Sequence, residues 1–172
     1  LFYIGPASVF ALMELIRDRQ GPGEDLDAWY ANLKARYDGL SALANILWQH
    51  EHQEGSAFLQ ELAADPREHI WLSANSAAFV SRRVGKSPAL MAVLAEAIWP
   101  SVTRWDKVSR DAIQALAEYR DHAEEVSKTL VKLLLSDASS DVKEAAVEAL
   151  GEIGAPLDLV KPVLEEIGAD GE

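Results

Sequence analysis

Leu133-Leu134-Leu135-Ser136-Asp137-Ala138-Ser139-Ser140-Asp141-Val142-Lys143-Glu144-Ala145-Ala146-Val147-Glu148-Ala149-Leu150-Gly151-Glu152-Ile153-Gly154-Ala155-Pro156 is the stretch that decides the fold. It ends one apolar helix, turns through small polar residues and opens a second helix. In that second helix Val142, Ala146, Ala149, Leu150 and Ile153 recur at the spacing that puts them on one helical face. Asp141 followed by Glu144 reads as a capping box, and Gly151 and Gly154 stand where the helix should stop and the chain must turn.

The same frame recurs upstream. Val108, Ala112, Ala115, Leu116 and Tyr119 match it at an offset of 34, and Leu72, Ser76, Phe79 and Val80 match it more loosely a further 36 residues back. Each copy follows a shorter apolar segment, marked by Leu59 and Leu62, Leu90 and Leu94, and Leu130 and Leu134. A helix pair cannot bury its apolar stripe alone, whereas stacked pairs bury a continuous core. The repetition therefore predicts an all-α fold, a right-handed α–α superhelix of helix pairs with about ten helices.

Sustained apolar/polar alternation is absent, and Ala, Leu and Glu dominate, so helix is expected throughout. The expected spans are near 6–19, 25–36, 39–50, 55–64, 66–84, 88–98, 104–120, 122–136, 141–153 and 161–168. Asp65-Pro66-Arg67-Glu68 and Ser87-Pro88 look like helix starts, each a cap followed by a proline that has no amide to leave unpaired. Trp99-Pro100 closes the helix before it, because a residue preceding proline disfavours the α region.

At 172 residues the chain is sized for one domain, read as a single solenoid over 1–172 with divergent N-terminal helices in 1–53 and repeats in 54–172. Its start at Leu1-Phe2-Tyr3-Ile4, without methionine, is the reading expected of a piece of something longer. The absence of cysteine excludes disulfides, thiolate metal sites and cysteine nucleophiles, and makes the cytoplasm the expected location. The apolar stretch Leu1 to Ile16 contains Gly5, Pro6 and Glu14 and lacks a basic start. It reads as a buried first helix rather than a membrane span or signal peptide. Left uncapped, such an end would allow a dimer.

The quoted stretch, continuing from Val160 to Asp170, resembles the HEAT-like repeat first described in phycobilisome lyases, clearly so over about residues 122–170. The resemblance implies that Asp141-Val142-Lys143 opens the second helix of a repeat. It also implies that the Ala-Ala and Ala-Leu-Gly positions pack on the neighbouring repeat and that Pro162 starts the next first helix. That scaffold is shared by lyases, hydroxylases, DNA glycosylases and adaptors, so function has to be read from the surface.

A net charge of −12 repels nucleic acid and anionic membranes at long range, but it is unevenly spread. Residues 82–110 hold 6 bases against 2 acids, a basic island of Arg82, Arg83, Lys86, Arg104, Lys107 and Arg110. Residues 111–172 hold 15 acids against 5 bases. With Trp71 and Trp105 nearby the island is suited to a phosphate, an acidic peptide or a nucleic-acid backbone, and its plainer reading is a solvated face pairing with acidic neighbours. Trp48 and Trp99, each following apolar residues, are expected in the core with Trp29; Trp71 and Trp105 are the pair expected to be exposed. Glu144, Glu148 and Glu152 form a row that means solubility or, more sharply, a basic partner.

His50-Glu51-His52 with Glu54 is the one cluster with metal-ligand chemistry. HEAT-type deoxyhypusine hydroxylases use repeated His-Glu pairs, and here there is one such pair, Glu68-His69 being reversed and His122 isolated. Trp105-Asp106 and Arg110 resemble only superficially the constellation of HEAT-like DNA glycosylases. No phosphate loop, nucleophile elbow or HExxH motif is present. The expectation is a non-enzymatic scaffold without cofactor, metal or catalytic residues, binding a protein or peptide on the face lined by the second helices through Trp71, Arg82, Trp105, Lys107, Arg110 and Gln114. The alternatives are a metal-dependent HEAT-like enzyme using His50 and His52, or a nucleic-acid binder.

Overall fold

The computed structural model describes residues 6–19, 25–99 and 106–169. Among them the regular structure is helical without strands: α1 (Pro6–Arg17), α2 (Leu26–Gln49), α3 (Gln53–Ala64), α4 (Ile70–Arg83), α5 (Pro88–Ala97), α6 (Asp106–Leu116), a 3-10 turn at Arg120–His122, α7 (Ala123–Leu134), α8 (Ser140–Ile153) and α9 (Leu157–Ala169). The chain divides into two compact units, Leu1–Val84 and Gly85–Glu172. No described helix is long and apolar enough to cross a membrane.

In the first unit α1 pairs with α2 and α3 with α4, while α2 lies against α4 and α1 against α3. The same pairing includes α1 and α2, in the segment 1–53 where the sequence shows no repeat. α1 turns Val9, Met13 and Ile16 inward, and α2 contributes Leu33, Tyr37, Leu40, Leu43 and Leu47. Where two helices were expected, over 25–36 and 39–50, α2 is continuous. Gly39 is buried, and a Cβ there would sit 3.0 Å from Leu15 Cδ2 and 3.6 Å from Ile16 Cγ1, so the glycine serves close approach of α1 rather than a turn.

The Asp65-Pro66 start also differs from expectation. Asp65 accepts from the amide of Arg67 at 2.9 Å and makes a local turn. Glu68 turns inward to Arg36 instead of closing a capping box, and α4 starts at Ile70, capped by His69 Nδ1, which accepts from the Trp71 amide at 3.3 Å.

In the second unit α5 pairs with α6 and α7 with α8; the second helices α6 and α8 lie side by side, as do the first helices α7 and α9. The repeated frame is its core: Val108, Ala112, Ala115, Leu116 and Tyr119 are buried, and so are Val142, Ala146, Ala149, Leu150 and Ile153. Ser87 caps α5 with Pro88 behind it, as expected. Gly154 takes the left-handed conformation at φ 73°, and the Ala155 amide reaches back to the Leu150 carbonyl at 3.0 Å.

Two starts are corrected in this unit. α8 is capped by Ser139, whose Oγ accepts from the Val142 amide, rather than by Asp141, because the helix begins one residue earlier, at Ser140. α9 begins directly after Pro156, whose carbonyl accepts from Leu159 and Val160, so Pro162 lies inside the helix instead of starting it. Pro162 is exposed, as is Asp158, the residue whose carbonyl loses its donor, which leaves that end of the break in contact with water.

Candidate functional site

The exposed side of the α6/α8 pair is set by what the pair buries. With Val108, Ala112, Ala115 and Leu116 turned inward, Lys107, Arg110 and Gln114 are left on the outer face of α6. On α8 the same logic leaves Asp141, Glu144, Glu148 and Glu152 exposed, with Val147 beside them. Two contacts fix the register of these rows. Ser139 Oγ donates to Asp106 at 2.8 Å while accepting the helix-capping bond, and Arg110 lies 3.8 Å from Asp141. Lys107 is held along its own helix by Asp111 at 2.5 Å.

The other members of the basic island are placed as follows. Arg82 and Arg83 end α4 in the first unit and are exposed; Arg83 stacks over the Trp48 ring at 5.5 Å. Lys86, in the second unit, donates to the Glu118 carbonyl at 2.5 Å and lies 5.9 Å from the Tyr119 ring centre. Arg104 and Trp105 lie outside the described residues.

The tryptophan expectation is reversed at two positions. Trp71 is 4% exposed, packed edge-on against Tyr30 at 5.6 Å and His69 at 5.0 Å, and is corrected from a surface contact to a core residue. Trp48 is 53% exposed, one position beyond the buried stripe that ends at Leu47, and meets Phe79 edge-on at 6.3 Å. Trp29 and Trp99 are half-buried. Sequence reasoning also missed the aromatic cluster that Trp29 and Tyr30 form with His69 and Trp71, whose members come from the first turns of α2 and α4. The one available signal was the adjacency of two rings at a helix start.

The histidines are engaged in helix ends. His50 closes α2, its amide bonded to the Ile46 carbonyl at 2.9 Å, and its side chain is exposed. His52 opens α3, its Nδ1 accepting from the Gly55 amide at 3.2 Å, which occupies the lone pair a metal would need; its Nε2 lies 3.9 Å from Glu54. Among the described residues no group of three or more His, Asp and Glu side chains is placed to hold a metal ion.

His69 uses the same capping device, and burial holds its imidazole below the ordinary histidine value, with Glu68 pulling upward and Arg36 adding to the depression. A lower value in the folded than in the unfolded chain means that stability is complete above about pH 6.5 and declines as pH falls through the folded value. His69→Asn keeps a cap without titrating. Urea midpoints between pH 5 and 7.5 should therefore fall less steeply on acidification for this variant than for the wild type, and equal slopes would contradict the neutral-cap assignment.

No curated protein and no solved structure matches the chain. The family model for HEAT repeats matches residues 103–172, the segment that contains α6 through α9. The paired helices, the side-by-side second helices and the duplicated buried frame agree with that match, and residues 103–172 are HEAT-like repeat.

Proposed function

We propose that this chain is a non-enzymatic binding module that holds a protein or peptide on the outer face of α6 and α8, with Lys107, Arg110 and Gln114 as contacts. HEAT repeats commonly serve as protein-interaction scaffolds, which supports the general reading. The observation that carries the finer one is the register of the two helices: the α6 cations stand beside the α8 carboxylates, with Arg110 3.8 Å from Asp141, in a polar face over a rigid alanine-rich seam. Such a face selects partners by charge pattern more than by apolar area.

The test is affinity capture with wild type beside the Lys107→Glu, Arg110→Glu double variant. Both positions are exposed and their pairs are surface pairs, so the fold should persist, as circular dichroism would report. A partner held by the wild type should bind the variant about tenfold more weakly or less, and an unchanged affinity would sink the assignment. A second reading rests on Glu144, Glu148 and Glu152, exposed and without an ion pair among the described residues. On that reading the partner is basic, and the same double variant would bind it more tightly rather than less.

A further inference from the structure

The second unit carries a pocket that the α6/α8 face does not use. It has a volume of about 150 Å³ and opens between the first helices α5 and α7. α5 lines it with Met91, Ala92 and Ala95, α7 with Val126 and Thr129, and the buried Leu116 of α6 also lines it. Its origin is in the sequence: Ala92 and Ala95 present methyl groups where a larger side chain would fill the gap. Whereas α7 packs directly on α9, α5 and α7 make no extensive contact. Thr129 spends its hydroxyl on the Glu125 carbonyl at 3.2 Å, which satisfies the polar atom of that side chain. A cavity of this size takes up one benzene-sized apolar group.

The lining also includes Glu125 and His122, whose Nδ1 lies 3.8 Å from the Glu125 carboxylate. Glu125 is 69% exposed, while its neighbour Glu124 is paired with Lys128 at 2.6 Å. The pocket therefore combines an apolar interior with an acid at its edge, on a part of the chain where acids outnumber bases.

From this combination we propose that the α5/α7 pocket is a docking site for one aliphatic side chain, of leucine or methionine size, from a partner peptide that carries Lys or Arg beside it. The pocket supplies the apolar contact and Glu125 pairs with the flanking cation. This site is separate from the α6/α8 face and does not depend on its role.

The probe is acetyl-Arg-Leu-Arg-amide, followed by methyl-resolved NMR of the whole chain, with acetyl-Arg-Ala-Arg-amide as its control. The leucine peptide should shift the methyl signals of Met91, Leu116, Val126 and Thr129 and bind at least tenfold more tightly than the alanine peptide. Ala95→Leu, which fills the pocket, should abolish these shifts. Glu125→Lys, at an exposed position where the unit should stay folded, should weaken binding about threefold or more and remove most of its salt dependence. Equal binding of the two peptides, shifts confined to other methyl groups, or unchanged affinity in Glu125→Lys would each overturn the proposal. Sedimentation of the protein alone that shows a dimer lost in Ala95→Leu would assign the pocket to a second copy, and would overturn it as well.

Discussion

Replacing Arg36 by alanine should destabilise the first unit by about 3–5 kcal/mol, the cost of stranding a buried charge. Arg36 lies in the middle of α2 and is 4% exposed. Its Nε donates to the Ile16 carbonyl at 2.7 Å, at the end of α1 where the helix carbonyls lack partners. Its terminal nitrogen donates to Glu68 at 2.6 Å across 32 residues of sequence, and the Glu68 side chain is 1% exposed. Glu68 in turn accepts from the amide of His69 at 2.8 Å and lies 3.1 Å from Arg19.

Arg36 thus ties the end of α1 and the start of α4 to the middle of α2. Without it the Glu68 carboxylate keeps the His69 amide and, for countercharge, Arg19, itself 38% exposed and already bonded to Asp65 at 2.7 Å. Glu68→Ala should cost a similar amount, whereas Arg36→Met combined with Glu68→Leu should recover most of the loss because neither charge is then stranded. Amide exchange of α2 and α4 measures each case. A loss below about 1 kcal/mol for Arg36→Ala would show that the pair is screened by water as a surface pair is.

Nothing in the sequence announces that arginine, and the reason is physical. A repeat core is legible because its period is written in apolar residues along one helix; the frame at Val108 and its copy at Val142 are buried at each of their positions. Gly154 was legible because a helix ending in a left-handed turn needs glycine. The burial of Arg36, by contrast, depends on a carboxylate from another helix pair, and no local pattern encodes that.

The break expected between 36 and 39 failed in the opposite way: Asp-Gly is locally at ease in a turn, and the helix that packs against Gly39 overrides that preference. Trp48 and Trp71 were exchanged because both stand next to apolar residues, and a single step of about 100° around the helix decides which of them faces inward. For the outer face of α6 and α8 the sequence did better. Lys107, Arg110 and Gln114 share a face because their spacing says so. It was silent on the cross-link through Ser139, which required knowing that α8 begins at Ser140.

The second large effect is expected at Leu130, where alanine should cost the second unit about 2–5 kcal/mol. Leu130 is fully buried on α7 with Val126, Leu133 and Leu134 along the same face. α7 packs on α8 and on α9, so two neighbours would have to move together to close the void, and the cavity cost adds to the lost burial. Leu135, which caps the end of α7 and is 53% exposed, makes the control: its replacement by alanine should stay within about 0.5 kcal/mol. Amide exchange in α7 and α8 separates the two outcomes, since opening of that pair should become easier in Leu130→Ala and stay unchanged in Leu135→Ala. Equal effects at both positions would mean that α7 is not gripped between its neighbours, and the repeat stacking described for the second unit would fall with that result.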